Sequence, residues 1–179
     1  MKSARFAALA ALAALALAPV AHAKLSPIES RMAGTVKAEQ ERSIALLERL
    51  VNQNSGTMNL AGVQAVADML RPEFEALGFK VEWLPMAQTG RAGHLVARHA
   101  GRSGGKRLLL IAHLDTVFEP SSPFQSFRVE GDRAHGPGVG DNKGGIVVIL
   151  SALRAMLAAG TLEGANIEVW LTGDEEEAG

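Results

Sequence analysis

The sequence predicts an α/β fold, a mixed sheet flanked by helices, and three observations carry that expectation. Short strand-like runs at residues 79–84, 94–98, 107–112 and 167–171 are interleaved with stretches whose apolar residues recur at helical spacing. The run RLLLIA at 107–112 is unbroken in its hydrophobicity, the pattern of a central strand covered on both faces. The 179 residues are 47% hydrophobic, with 18 basic against 19 acidic side chains. That balance permits a buried core and excludes a polybasic nucleic-acid arm, an acidic solvating tail and a core-less disordered chain.

Residues 1–23 stand apart from the rest. Lys2 and Arg5 precede an apolar run of 13 residues, 6–18, which ends at Pro19 and a closing Ala21-His22-Ala23. This is the order of a secretory signal peptide, and the run is shorter than the roughly 20 residues that cross a bilayer. An uncleaved anchor is the plainer alternative. Loss of Lys2 and Arg5 would leave 16 basic against 19 acidic residues, a net charge of −3. A periplasmic or secreted protein is therefore expected, with no stable membrane span once the leader is removed. With no cysteine, its fold must hold there without disulfides.

The remaining elements follow in order. Ser26-Pro27-Ile28-Glu29 opens a stretch in which Ile44, Leu47, Leu50 and Val51 recur at helical spacing until NQNSG at 52–56 ends it. Leu60, Val63, Val66, Leu70, Phe74 and Leu77 mark a second helix, with Pro72 inside it and Gly78 placed for a left-handed cap. FKVEWL at 79–84 alternates as a strand with one buried face, and HLVAR at 94–98 reads as another. After the glycine-rich turn at 100–106 comes the apolar strand at 107–112, then a short strand around Arg128 and Val129. A helix at 146–159 closes at Gly160, and IEVWL at 167–171 is the last strand.

Without cysteine, any metal must sit on His, Asp and Glu. Three segments place such residues at a strand end or just before a helix. In the first, His113 and Asp115 follow a strand two residues apart and so point to the same side. A carboxylate beside an imidazole can fix its tautomer for metal binding; the plainer reading is an ordinary strand-end histidine. In the second, GPGVGDNKGG at 136–145, glycines let the backbone deliver Asp141 into a crowded site; the plainer reading is that Asp141 or Asn142 caps a helix. Its spacing fits neither a phosphate-binding P-loop nor a dinucleotide fingerprint. In the third, Asp174, Glu175, Glu176 and Glu177 crowd together at a strand end, where they repel one another unless cations neutralise them; the plainer reading is a solvated acidic turn. Ligand sites in open α/β sheets gather outside the carboxyl ends of strands. Together the segments supply a histidine, an aspartate able to bridge and paired glutamates, which suit a two-zinc hydrolase.

HLDTV at 113–117, GPGVGDNKGG at 136–145 and DEE at 174–176 resemble, in order and spacing, the three motifs of the zinc metallopeptidase family of glutamate carboxypeptidase, acetylornithine deacetylase and succinyl-diaminopimelate desuccinylase. By that resemblance the fold would be a zinc-exopeptidase-like catalytic domain carrying two Zn2+. His113 would hold one ion, Asp141 would bridge both and Glu176 would hold the other. Asp115 would orient His113, and Glu175 would be the general base. The reaction implied is hydrolysis of a peptide or N-acyl amino acid amide bond, with no role for nucleic acid. Family members often read D-E-E-x-G where this sequence has D-E-E-E-A-G, so Glu176 and Glu177 are an alternative base and ligand pair.

The resemblance also implies further ligands, a carboxylate about two dozen residues after the glutamate pair and a distant histidine, with a lid domain between them. Residues 24–179 are therefore expected to be the N-terminal part of the catalytic domain, without the lid or C-terminal part, and inactive alone. A homodimer through that lid would be compatible with the resemblance. Two rival readings remain, a secreted binding module without hydrolysis and a two-zinc aminopeptidase of another family.

Overall fold

A computed structural model describes residues 24–177, so the expected signal peptide at 1–23 lies outside the described residues. The element order is α1 (Pro27–Ala38), α2 (Gln40–Asn52), α3 (Leu60–Glu75), β1 (Lys80–Pro85), β2 (Gly93–His99), β3 (Arg107–His113), β4 (Arg128–Glu130), β5 (Arg133–His135), α4 (Lys143–Ala158) and β6 (Asn166–Thr172). Ser26 and Glu29 form a reciprocal capping box at the start of α1, with Pro27 in its first turn. The first helical stretch divides at Glu39, whose backbone caps α1 before α2 begins. The buried face of α2 is Leu46, Leu50 and Val51, whereas Ile44 faces solvent. Asn59 caps α3 through the amide of Gly62, and Pro72 is accommodated within that helix.

Strands β1, β2, β6 and β3 form one sheet in that order. β2 pairs antiparallel with both β1 and β6, while β3 pairs parallel with β6. The fold is thus α/β with a mixed sheet flanked by helices, as expected. Leu95, Ala97, Ala112, Ile167, Val169 and Leu171 on one sheet face join Leu50, Val63, Leu70, Phe74, Ile146 and Leu150 from the helices in a single core. β4 and β5 form a separate hairpin of which the sequence reading recognised only the first strand.

The apolar run at 107–112 is not the doubly covered central strand that its pattern predicts. β3 is an edge strand and is not covered on both faces: Leu109 and Ile111 are 58% and 65% exposed. Side chains alternate across a strand, so Leu110 and Ala112 meet the helix-covered core while Leu109 and Ile111 face the opposite side. Among the described residues, no helix is long and apolar enough to cross a membrane.

Candidate metal centre

The parallel, in-register pairing of β3 with β6 sets His113 opposite Thr172. The Leu114 amide then donates to the Thr172 carbonyl at 2.7 Å, so the chain leaves both carboxyl ends side by side. His113 to Asp115 emerge from one strand and Asp174 to Glu176 from the other. On the far side of β6, Gly173 lies so close to the Gly93 carbonyl that a side chain there would collide with it, and its amide donates to His94 Nδ1 at 3.3 Å.

Asp141 arrives from the glycine-rich loop. A side chain on Gly144 would run into the Val139 carbonyl, so the turn into α4 requires glycine there, whereas one on Gly145 would displace the Asn142 side chain. The Asp141 side chain is 76% exposed, and its Oδ1 lies 2.9 Å from His113 Nε2. One ligand-type atom each from His113, Asp141 and Glu176 lies within 4.8 Å of the others.

Asp115 is wholly buried and connects the segments. Its Oδ1 lies 3.3 Å from His113 Nδ1 and accepts the Glu175 amide at 3.2 Å. Its Oδ2 accepts the Thr57 hydroxyl at 2.7 Å and the Glu176 amide at 3.0 Å. The first motif's aspartate therefore holds both the histidine ring and the backbone of the third motif. Sequence reasoning missed Thr57 and also Ser55, whose hydroxyl donates to the Leu114 carbonyl at 2.8 Å. The NQNSG segment was legible only as a helix end, yet residues 55–57 bond alongside 114–116. Glu175 is 59% exposed at its side chain, with Oε2 3.9 Å from His113 Nε2. The Glu177 carbonyl is turned away to accept two bonds from Arg91.

Burial pulls the His113 imidazole toward neutrality, but hydrogen bonds with Asp115 and Asp141 and the charges of Asp115 and Glu175 outweigh it and raise its pKa to about 9. Burial likewise opposes ionisation of Asp115, yet His113, Thr57 and the two glutamate amides hold it below its usual value. Glu176 is pushed upward by burial and by Asp141, Asp115 and Glu175, against the pull of His113. Carboxylates thus outnumber the single imidazole at this edge, and nitrogen and oxygen donors converge there, a set that fits a divalent cation.

These shifts fix a pH dependence for the chain in chelator. His113 binds its proton more tightly when folded, so its contribution is complete below its usual pKa of 6.5 and is lost as pH rises through about 9. The Asp115 contribution is present above its usual 3.8 and lost as pH falls below it. The stability difference between wild type and His113→Gln in urea should therefore peak between about pH 4 and 6.5. A difference that grows above pH 9 would contradict the pairing.

Residues 109–179 match peptidase family M20/M25/M40. That stretch contains all three motifs, at 113–117, 136–145 and 174–176. The chain is 40% identical over 140 residues to carboxypeptidase G2 of Pseudomonas sp. (strain RS-16), covering 78% of this chain and 34% of that protein. It is 31% identical over 137 residues to succinyl-diaminopimelate desuccinylase of Gluconobacter oxydans (strain 621H), covering 74% and 34%. The di-peptidase Dug1p of Saccharomyces cerevisiae shares the fold, with a TM-score of 0.71 at 14% identity over 83% of this chain and 35% of that one. The chain spans about a third of the length of these relatives.

Proposed function

We propose that this chain carries the amino-terminal half-site of a two-zinc hydrolase that cleaves a peptide or N-acyl amino acid amide bond. The observation that carries the proposal is the convergence of His113, Asp141 and Glu176 within 4.8 Å at the carboxyl edge of β3 and β6. The relatives' names, a carboxypeptidase and a desuccinylase, support amide hydrolysis as the class. His113 and Glu176 would each hold one ion, with Asp141 shared between them. Bound zinc would polarise the scissile carbonyl and acidify a water.

Glu175 is assigned as general base, taking a proton from the attacking water and returning it to the leaving nitrogen. Its carboxylate stands outside the three-donor cluster while its amide is anchored by Asp115, an arrangement suited to proton transfer rather than ligation. The presence of Glu176 in the cluster, with the Glu177 backbone drawn toward Arg91, favours Glu175 and Glu176 over the shifted register. Asp115 is assigned as the residue that orients His113.

A structural zinc ion takes four ligands and a catalytic one takes three protein ligands plus water, so three donors cannot complete a pair. The two-zinc reading therefore places further donors outside residues 24–177, and the bare Leu109 and Ile111 face of β3 supports additional structure on that side. The chain by itself should not turn over amides. Residues 1–23 are proposed to direct export. Zinc titration with an N-acyl amino acid hydrolysis assay on a protein containing the remaining two thirds tests the reading: two ions per chain and zinc-dependent cleavage are expected. Saturation without cleavage would refute it in favour of a binding module.

A further inference from the structure

Lys143 is the first residue of α4 and is completely buried, a rare place for a lysine. Among the described residues its ammonium makes no ion pair. Its Nζ instead donates to the carbonyls of Leu50 and Gln53, each at 2.8 Å. Leu50 lies in the last turn of α2, and Gln53 is the residue that caps it. Carbonyls at a helix C-terminus lack partners within the helix and carry the negative end of its dipole, so the charge is matched to a helix end.

The Lys143 stem also organises the loop before it. A Cβ on Gly138 would lie 3.0 Å from both Lys143 Cγ and Cδ, so that backbone wraps the stem closely. The Gly144 amide closes the turn on the Gly138 carbonyl at 3.2 Å. Gly136 abuts Val51 of α2. Asp141 lies between these anchors with its side chain largely in solvent and held by a single contact, His113 Nε2. A carboxylate so exposed is placed by its backbone rather than by packing. A methionine could fill much the same volume without the cost of burying a charge; what the ammonium adds is the pair of bonds to α2.

We propose that Lys143 is the positioning residue of Asp141, tying the loop at residues 136–145 to the C-terminal carbonyls of α2 and so holding the Asp141 carboxylate against His113. Its consequence for metal binding rests on the ligand roles proposed above, whereas the placement of Asp141 does not.

The test uses the full chain with Lys143→Met and, as a neutral variant that keeps a donor, Lys143→Gln. Far-ultraviolet circular dichroism reports folding, and the long-range proton–nitrogen spectrum of the His113 ring in chelator reports the Asp141 contact. Zinc affinity is read by chelator competition. Lys143→Met should fold, lose the hydrogen-bonded signature at His113 Nε2 and bind zinc about tenfold more weakly, the scale of a lost supporting contact. In an Asp141→Ala background, Lys143→Met should cause no further loss of affinity. An unchanged His113 spectrum in a folded variant would overturn the proposal, as would failure of both variants to fold, which would make Lys143 a folding residue. If wild type binds no zinc, the metal reading falls while the His113 spectrum still decides the placement of Asp141.

Discussion

Asp115→Ala should destabilise the chain by about 3–5 kcal/mol, the cost of removing one partner from a buried charged network. The substitution leaves the Thr57 hydroxyl and the amides of Glu175 and Glu176 without the acceptor that now serves them, and leaves His113 Nδ1 with only the backbone carbonyl of residue 115 at 3.1 Å; buried donors without partners are expensive. Asp115→Asn should be milder, because one oxygen remains to accept while the amide group confronts donors. The same loss should weaken zinc binding about 10- to 100-fold, since the ring and the Glu176 backbone both lose their support. Urea unfolding of each variant with chelator competition measures both effects. A loss below about 1 kcal/mol for Asp115→Ala would show that the network is not what joins the segments.

Glu175→Gln should lower the rate of amide hydrolysis by about 10²–10⁴, the usual contribution of a positioned general base, with zinc affinity nearly unchanged. The separation follows from the geometry, since Glu175 stands outside the three-donor cluster. The hydrogen bond that its backbone N–H donates to Asp115 survives the substitution. Glu176→Gln should do the reverse and weaken zinc binding first. The measurement belongs in a protein long enough to turn over, with kcat and zinc occupancy determined on the same sample. Full activity in Glu175→Gln together with loss in Glu176→Gln and weak metal binding in Glu177→Gln would move the base and ligand one residue along the chain.

The local elements were legible because their patterns are local. The recurrence of Val63, Val66, Leu70 and Phe74 marked α3, and Gly78 with φ +84° and Gly160 with φ +73° stand beyond helix ends as anticipated. The break at Glu39 was not legible, since α1 buries no residue and has no apolar face to distinguish it from α2. The place of β3 was misread because a continuous apolar run reports what a strand can tolerate on both faces, not what covers it in this chain. At the site, His113, Asp115, Asp141, Glu175 and Glu176 were all named from three short motifs, and the structure brings them to one edge. The supports were missed for a common reason: Thr57 reaches Asp115 across 58 positions and Lys143 reaches Leu50 across 93. A threonine in a polar turn and a lysine in a glycine-rich loop carry no mark of burial until the fold is known.

Three segments distant in sequence are proposed to form one metal-binding cluster. Anomalous diffraction at the zinc edge from zinc-soaked crystals of this chain tests it most directly. Two peaks are expected, one about 2.0–2.2 Å from His113 Nε2 and an Asp141 carboxylate oxygen and one at the same distance from carboxylate oxygens of Asp141 and Glu176, the first lost in His113→Ala. Zinc bound elsewhere, or no peak at this edge of the sheet at saturating zinc, would contradict it.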